Sequence, residues 1–504
     1  MSNKEFIEKT FDMLYRAVEY EREIFNISEE GYISNISDGI IEIKNLPNVG
    51  YFELLELPHN LFALVLNIKQ DLTQAIVLGE YTLLNVKDRV RYTNKSISIP
   101  VGEALLGKVV DPLILSLDTK QPIVTDEYYA IEQDAIPMMK RDFVKEPLYT
   151  GIKIIDAMIP IGKGQRELIV SDSSLGKTSI AIDTIINQKG KNVLCVYVSI
   201  GQKKTEVARV IEDLRRHDAL EHTVVVVASS DSSAGMKFIA PYSGCAIAEY
   251  FRDQGKDVLI VYDDLTSHAD AYRSISLLLE IPPGREAYPG DIFFIHSRLL
   301  ERAGKRDDRY KGGSITALPI IETQAGRISD YIPTNLISIT DGQIYLEREL
   351  FNKGFLPAID IGKSVSRIGA KAQASALKKM AAKLKLDYSQ FLEVEIFTKF
   401  GAKVEEQTQK LIYRGQALRV ALKQKRYVHI DMPEQAIIFF LSNEGYLQSL
   451  SLIEVEPFIE KFIFEIRKKE SDIFDMISVT NEINDTLIKR LHDIAIQFTK
   501  EWQQ

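Results

Sequence analysis

The chain has 504 residues, of which 45% are hydrophobic and 26% are charged. This length is enough for about three domains, and the composition is typical of a soluble globular protein. The formal net charge of −9 argues against a general nucleic-acid-binding surface, which needs an excess of basic residues. The two cysteines, Cys195 and Cys245, cannot form a disulfide framework, and we expect Cys195 to be buried within its apolar run VLCVYV.

The N-terminal segment, residues 1–26, is charged throughout and lacks the apolar core of a signal peptide. Phe6, Phe11, Leu14 and Val18 recur near one helical face, which predicts an amphipathic helical arm. The arm either packs on its own chain or binds a partner, and the sequence leaves both open. No apolar run approaches the roughly 20 residues that span a bilayer, so we expect a cytoplasmic protein.

Residues 27–98 consist of short β-prone runs separated by Gly, Asn, Asp and Pro. The runs are GYISNI, GIIEIKNL, GYFELLEL, FALVLNI, TQAIVLG and SISIP. Their length and spacing predict a small antiparallel β-barrel. No pattern in this segment indicates chemistry, so we expect a structural or assembly domain.

Residues 99–371 alternate between apolar runs and amphipathic stretches. The predicted strands are ELIV, VLCVYVSI, TVVVVAS and DVLIVYDDL, and the predicted helices include TEVARVIEDLRRH. This alternation predicts an α/β domain with a parallel sheet covered by helices on both faces. Residues 372–504 become helical, with Phe458, Phe462 and Ile466 on one face. The sequence therefore predicts a multidomain chain with an N-terminal β-barrel, a central α/β domain and a C-terminal α-helical bundle.

One segment, SDSSLGKT at residues 171–178, closely matches the phosphate-binding loop GxxxxGK[ST]. In such a loop, backbone N–H groups at a helix N-terminus cradle phosphate oxygens. Lys177 would reach the outer phosphates, and Thr178 would bind Mg²⁺ through its hydroxyl. Ser171 stands where the pattern has its first glycine. The loop therefore predicts a nucleotide site, with one departure from the pattern.

Polar residues also follow two other predicted strands. Gln202 follows VLCVYVSI, and Asp263 and Asp264 end the apolar run DVLIVYDDL. Ligands of parallel sheets bind at the carboxyl ends of the strands, so these residues converge with the loop on one predicted site. A carboxylate at the end of an apolar strand also suits the second Mg²⁺ element of a phosphate-loop ATPase, here Asp263.

Many stretches of the chain resemble the alpha subunit of F-type rotary ATPases. Among them are VGEALLGKVVDP, EPLYTGIKIIDAMIPIGKGQRELIV, EYFRDQGK, LLLEIPPGREAYPGD, GGSITALPIIETQAG and SVSRIG. They occur in the family's order from about residue 31 through the C-terminal helices. The resemblance implies a β-barrel, a RecA-like phosphate-loop domain and a helical domain.

The resemblance also implies partners. Three alpha-type and three beta-type subunits would form a ring around a gamma-type central stalk. A peripheral-stalk or other accessory subunit would bind the N-terminal arm, although residues 1–30 show no clear match to the family. No nucleic acid is implied. The chain would lie at the inner face of the cell membrane, attached only through partner subunits.

In this family the beta-type subunit carries the catalytic sites and the alpha-type subunit carries non-catalytic ones. The resemblance implies that Gln202 replaces a glutamate that polarises the attacking water in a catalytic subunit, and an amide cannot act as that base. It implies that Arg367, in SVSRIG, reaches the neighbouring beta-type site in trans as an arginine finger. ATP or ADP with Mg²⁺ would be processed at that interface, and the isolated chain would be inactive.

A second nucleotide site is implied within this chain itself. Its expected Mg²⁺ ligands are Thr178 and Asp263. If no nucleotide is bound, Lys177 is a buried charge that Asp263 or a bound anion would have to offset. The expected nucleotide-binding residues are Asp172, Ser173, Ser174, Leu175, Gly176, Lys177, Thr178, Ser179, Gln202, Phe351 and Gln424.

Departures from the family pattern cluster around this second site. Ser171 replaces a glycine that lets the backbone turn tightly and approach phosphate, and Leu175 replaces a hydroxyl. Leu356 replaces an arginine near the base, and Arg426 replaces one of two glutamines near the adenine. These changes predict a degenerate or regulatory site in a divergent paralogue.

Two other functions stay open at this point. One is a structural subunit of an F-type-like ATPase that serves another motor task, such as motility or surface machinery. The other is a self-sufficient phosphate-loop hexameric ATPase, such as a secretion motor or an RNA translocase. Gln202 and the altered loop count against this last function, and the negative net charge counts against its RNA-translocating version.

Overall fold

The computed structural model describes residues 30–399 and 405–503. The predicted arm at residues 1–26 lies outside the described residues. The chain divides into two compact units. The first contains the described residues up to Ile97 together with Leu277–Ile281, and the second contains Ser98–Ser276 and the residues from Pro282 onwards.

The first unit contains a closed six-stranded antiparallel barrel. Its strands are β1 Glu30–Ser37, β2 Ile40–Lys44, β3 Glu53–Leu57, β4 Leu61–Lys69, β5 Leu72–Leu78 and β6 Arg89–Ser96. They follow the order β1-β2-β5-β4-β3-β6, and β1 pairs with β6 to close the barrel. Closure leaves no free strand edge. Apolar side chains such as Ile33, Ile41, Leu55, Val65 and Val77 fill its core, so the predicted barrel fold is confirmed.

One predicted strand of the barrel is wrong. The sequence assigns SISIP to the barrel, but Ser98–Val101 (β7) pairs with Glu127–Ala130 (β9) outside it. The sixth barrel strand is Arg89–Ser96, in which Val90 is buried between exposed Arg89 and Arg91. Local β-propensity identifies a strand without identifying its partner, and charged neighbours hide the apolar alternation of the true sixth strand.

The second unit is built on a ten-stranded sheet. The strands of this sheet are β8 Val109–Val110, β10 Arg141–Asp142, β11 Leu168–Asp172, β12 Val193–Ile200, β13 Thr223–Ala228, β14 Asp257–Asp263, β15 Gly304–Arg306, β16 Ser314–Thr323, β17 Gly342–Tyr345 and β18 Val365–Ser366. Strands β7 and β9 form a separate two-stranded sheet. The main path is β18-β17-β11-β16-β14-β12-β13-β8. The strands from β17 to β8 pair in parallel, and β18 pairs antiparallel to β17. The predicted parallel sheet is therefore present, and its strands are buried as in sheets covered on both faces.

Helices connect these strands and then form the C-terminal region. The central helices are α1 Lys153–Met158, α2 Lys177–Ile186, α3 Lys204–Arg216, α4 Ala234–Asp253, α5 Leu265–Leu278, α6 Ile292–Leu300, α7 Tyr331–Ile339 and α8 Arg348–Asn352. The C-terminal helices are α9 Ser375–Lys399, α10 Glu406–Ala421, α11 Met432–Asn443, α12 Val455–Lys469, α13 Asp472–Thr480 and α14 Asp485–Trp502. Over residues 30–399 and 405–503, no helix is both long and apolar enough to cross a bilayer.

The central sheet and the C-terminal helices share one apolar core. A single buried cluster contains Ile169 of β11, Ile185 of α2, and Phe439 and Phe458 of the C-terminal helices. The predicted apolar face of α12 is buried, including Phe458 and Phe462. Packing of the helical region therefore supports the elements that carry the phosphate loop. The exact boundary near residue 372 stays a prediction.

Candidate functional site

The phosphate loop lies between β11 and α2. Asp172 is the last residue of the strand, and Lys177 is the first residue of the helix. Gly176 precedes the helix with φ 101°, a left-handed conformation that glycine adopts without strain. Ser174 is also left-handed, with φ 65°. The unpaired N–H groups of the first turn of α2, and the positive end of its dipole, therefore face the loop.

The backbone of Ser171 lies within a strand and not in a turn. It lies in β11, in register with Glu322 of β16. Its buried hydroxyl donates to the carbonyl of Asp172 at 2.8 Å. The backbone here is extended, so the prediction that this position needs glycine for a tight turn is wrong. An effect of Ser171 on the approach of phosphate stays a prediction.

Lys177 is buried among carboxylates. Its Nζ is ion-paired with Glu322 and lies 3.6 Å from Asp264 Oδ2. Burial opposes the lysine charge, but Asp264, Glu322 and Asp263 together outweigh burial and raise the pKa of Lys177. The sequence predicts that Asp263 or a bound anion offsets this charge, whereas Glu322 and Asp264 make the direct contacts. Glu322 could not be predicted as a partner of Lys177 from the sequence. Its strand, β16, is the neighbour of β11 only in the observed sheet order.

Thr178 and Asp263 are in direct contact. Thr178 Oγ1 donates to Asp263 Oδ2 at 2.7 Å, and Tyr197 Oη donates to the same oxygen at 2.9 Å. Burial, followed by the charge of Asp264, raises the pKa of Asp263 to about 6. The two predicted Mg²⁺ ligands are thus side by side at the end of the sheet.

Gln202 donates to both aspartates. Its Nε2 lies 3.3 Å from Asp263 Oδ1 and 3.4 Å from Asp264 Oδ2. Together with Glu322, these carboxylates outnumber the one ammonium, that of Lys177. The excess negative charge fits a hard cation such as Mg²⁺, which prefers carboxylate and hydroxyl oxygens.

Asp172 is held by the neighbouring elements. Thr323 Oγ1 and the Gly326 N–H each donate to its Oδ1 at 2.7 Å, and Arg348 Nη2 lies 3.4 Å from its Oδ2. Burial opposes its charge, but these three contacts lower the pKa of Asp172. The side chain therefore braces the start of the loop, and a direct contact with nucleotide stays a prediction.

Two cavities adjoin the loop. The first, which we call the phosphate cavity, has a volume of about 720 Å³. The second, the base cavity, has a volume of about 360 Å³. Both are lined by Gly176, Ser179, Phe351 and Arg426, so the two spaces meet beside the helix N-terminus. Of the predicted nucleotide-binding residues, all except Asp172 line one cavity or the other: Ser173, Ser174, Gly176, Lys177, Thr178, Ser179, Gln202 and Phe351 line the phosphate cavity, and Leu175 and Gln424 line the base cavity.

Gln424 is engaged with the backbone. Its amide donates to the carbonyls of Gly151 and Val428, each at 2.6 Å, and its Oε1 accepts the N–H of Lys153 at 2.9 Å. Its contribution to base binding therefore stays a prediction. Leu356 also lines the base cavity and is 45% exposed.

Five charged residues that the sequence does not predict as ligands line the base cavity: Asp183, Lys423, Lys425, Arg426 and Glu456. Asp183 lies on α2, one turn after Ser179, and lines the cavity. Burial raises its pKa to about 6. Arg426 pairs with Asp213 at 3.0 Å. The helical spacing from Ser179 is the signal that could have pointed to Asp183.

Arg367 lies outside both cavities. It follows β18, the edge strand of the sheet, and its N–H donates to the carbonyl of Asp341 at 2.8 Å. Its exposed side chain donates to the carbonyl of Ile337 at 3.5 Å. No carboxylate in the described part of the chain lies within ion-pair distance of it. Its charge does reach buried Glu167, whose pKa is raised by burial and lowered in part by Arg367.

The fold and this site define a phosphate-loop nucleotide-binding protein. A model of the ATP synthase alpha/beta family nucleotide-binding domain matches residues 151–366, and a model of the C-terminal domain of ATP synthase alpha/beta chains matches residues 373–498. The chain belongs to the ATP synthase alpha/beta family.

Similar proteins extend over almost the whole chain. The ATP synthase subunit alpha of Petrotoga mobilis is 49% identical over 94% of this chain and 94% of its own length. ATP synthase subunit alpha 1 of Methylococcus capsulatus and subunit alpha 2 of Paraburkholderia xenovorans are each 46% identical, over 94% of this chain and 95% of their own length. The resemblance to alpha subunits is confirmed.

Proposed function

We propose that this chain is a non-catalytic alpha-type subunit of a hexameric rotary ATPase. It alternates with beta-type catalytic subunits around a gamma-type central stalk, and it supplies Arg367 to the adjacent catalytic site. ATP or ADP with Mg²⁺ is processed at that interface, coupled to rotation. The chain lies in the cytoplasm at the inner face of the cell membrane, attached through its partners.

The placement of Arg367 is the observation that carries this proposal. The side chain is exposed, contributes to neither cavity, and has no carboxylate partner in the described part of the chain. An unpaired guanidinium offers a planar set of donors that matches phosphate oxygens. Its place directly after an edge strand suits a group that acts on a neighbouring subunit.

Gln202 supports a non-catalytic role for the chain's own site. It lies at the carboxyl end of β12, and its amide donates to Asp263 and Asp264. A carboxamide cannot accept a proton from an attacking water as a carboxylate can. The site therefore holds nucleotide without turning it over.

The residues of this site fit a Mg²⁺–nucleotide. Thr178 and Asp263 would hold the ion, which would neutralise phosphate charge. Lys177 exchanges the Glu322 carboxylate for phosphate oxygens, and the N–H groups at the start of α2 bind the remaining oxygens. Occupancy of this site is regulatory in our proposal.

The test compares the isolated full-length chain with the chain assembled with beta-type and gamma-type subunits. We expect the isolated chain to bind Mg²⁺–nucleotide without measurable hydrolysis, and the assembled complex to hydrolyse ATP. Robust turnover by the isolated chain would overturn the proposal and would favour a self-sufficient hexameric ATPase.

A further inference from the structure

A buried hydrogen-bond network lies beside Arg367 and is not used by the proposed function. We propose that Ser366 and Gln165, two members of this network, are positioning residues that hold Arg367 in the place from which it reaches the neighbouring catalytic site. This inference rests on the proposed function, in which Arg367 acts in trans. It adds the groups that fix the position of the arginine.

The Ser366 hydroxyl uses its full capacity for hydrogen bonds. It donates to the carbonyl of Pro160 at 2.7 Å. It accepts from Gln165 Nε2 and from the Gly369 N–H, each at 3.1 Å. A serine hydroxyl has one donor and two acceptor sites, and all three are occupied. The hydroxyl therefore ties the chain on both sides of Arg367 to the segment that leads into β11.

The Gln165 side chain is buried and held in one orientation. Its Oε1 accepts the Gly162 N–H at 2.8 Å, and its Nε2 donates to Glu167 Oε2 at 2.7 Å as well as to Ser366. Reversal of the amide would turn its NH₂ group towards the Gly162 N–H, so that a donor would face a donor. The amide therefore presents a donor to Ser366.

The next residue, Arg166, supports the backbone of Arg367 through Asp341. The Arg367 N–H donates to the Asp341 carbonyl at 2.8 Å, and the Asp341 N–H donates to the Arg166 carbonyl at 2.9 Å. Arg166 Nε and Nη2 also pair with the two carboxylate oxygens of Asp341, at 3.0 and 2.8 Å. Such a bidentate pair fixes geometry as well as adding energy. Two adjacent residues, Gln165 and Arg166, thus hold Ser366 and Arg367.

Close packing leaves this edge of the sheet little room to shift. Gly342 of β17 is in register with Ser366 of β18. A Cβ atom added to Gly342 would lie 2.2 Å from the Val365 carbonyl oxygen and 2.5 Å from Glu167 Oε2, much closer than carbon atoms pack in protein interiors. Glycine therefore lets the edge strand and Glu167 approach each other, and the network that ends at Ser366 is held from both sides.

The Arg367 side chain itself has little to hold it within the described part of the chain. It is exposed, and its Nη2 donates to the Ile337 carbonyl at the long distance of 3.5 Å. The position of the guanidinium therefore depends on the backbone that carries it. A reacting or stabilising group that is misplaced by about 1 Å can cost about 10²-fold in rate. Loss of the Ser366 hydroxyl should accordingly lower turnover without weakening substrate binding.

The test measures steady-state ATP turnover by the full-length chain assembled with beta-type and gamma-type subunits. We expect Ser366→Ala to lower kcat by roughly tenfold or more, with KM for ATP unchanged. Ser366→Thr keeps the hydroxyl and should retain most of the turnover. Gln165→Met removes the amide that donates to Ser366 and should reproduce the loss of kcat. Thr223→Val is the control, since it removes another buried hydroxyl, which donates to the Ala219 carbonyl at 2.6 Å, and it should leave kcat unchanged.

A double-mutant comparison separates positioning from a general weakening of the structure. If Ser366 acts through Arg367, Ser366→Ala should cause no further loss of the residual turnover of an Arg367→Ala complex. A general weakening would lower turnover by the same factor in both backgrounds, because the effects of independent sites add as free energies. Thermal unfolding of each chain and assembly of each complex verify that the variants fold.

The outcomes distinguish this inference from the proposed function. If Arg367→Ala lowers turnover and Ser366→Ala does not, the positioning role is overturned and the action of Arg367 in trans is retained. An equal loss from Ser366→Ala with and without the Arg367 side chain also overturns the positioning role alone. Unchanged turnover in the Arg367→Ala complex overturns the action in trans and the positioning role together.

Discussion

The Thr178 hydroxyl donates to the Asp263 carboxylate at 2.7 Å, and this bond joins the first turn of α2 to the end of β14. These residues are far apart in the sequence, and the sheet order brings them together. The contact places the two predicted Mg²⁺ ligands at the distance of a direct hydrogen bond. Thr178 and Asp263 would hold Mg²⁺ here through their hydroxyl and carboxylate oxygens, the ligand type that this ion prefers.

Removal of this hydroxyl tests the Mg²⁺ site. We expect Thr178→Ala to weaken Mg²⁺-dependent nucleotide binding by about tenfold, the loss of one good polar interaction. Thr178→Ser retains the hydroxyl and is the matched control. Titration of a fluorescent nucleotide with and without Mg²⁺ measures the effect. Equal affinity of the two variants would show that Thr178 does not hold the ion.

The ion pairs of Lys177 predict that the nucleotide-free chain becomes less stable when the lysine charge is removed. Lys177→Met leaves Asp263, Asp264 and Glu322 close together without their cation, and breaking a buried ion pair costs about 3 kcal/mol. We expect a lower midpoint of thermal unfolding for the nucleotide-free chain. Adding Asp264→Asn should recover part of the loss, because it removes one of the unpaired charges. A Lys177→Met variant as stable as the parent would contradict this account of the charge balance.

Asp263 makes stability depend on pH. Its pKa in the folded chain is about 6, above its ordinary value of 3.8, so the folded state binds a proton more tightly than the unfolded state. The contribution of Asp263 to the free energy of unfolding is therefore fully present below about pH 4 and is lost as the pH rises through about 6. This contribution is at most about 3 kcal/mol.

Thermal unfolding between pH 4 and 7 measures this contribution when the parent is compared with Asp263→Asn. The asparagine can accept from Thr178 and Tyr197, and Gln202 can rotate its amide to match. We expect the difference in stability between variant and parent to grow in favour of the variant as the pH rises. Parallel curves would indicate that Asp263 titrates at its ordinary pKa.

Local sequence patterns predict much of this fold. The apolar runs VLCVYVSI and DVLIVYDDL form β12 and β14, and residues 171–178 run from the end of a strand into the start of a helix, as their motif predicts. Buried parallel strands and phosphate loops carry strong local signals. Gln202 and Asp263 could therefore be placed at one end of the sheet from the sequence alone.

Residues that depend on strand order could not be found in this way. Glu322 meets Lys177 because β16 lies between β11 and β14, an order that no local pattern encodes. The sixth barrel strand could not be predicted because Arg89 and Arg91 flank its buried Val90. Arg426 could be recognised as a departure from the family, but its pairing with Asp213 required the packed structure.

The most direct test of the central claim is ATP turnover by the assembled complex carrying Arg367→Ala. If Arg367 acts in trans on the beta-type site, turnover should fall by roughly a factor of 10³ or more, while nucleotide binding and assembly of the complex are retained. Arg367→Lys is the matched control, since it keeps the charge but loses the planar donors, and it should also be strongly impaired. Unchanged turnover in the Arg367→Ala complex would contradict the account and would favour a purely structural role for this chain.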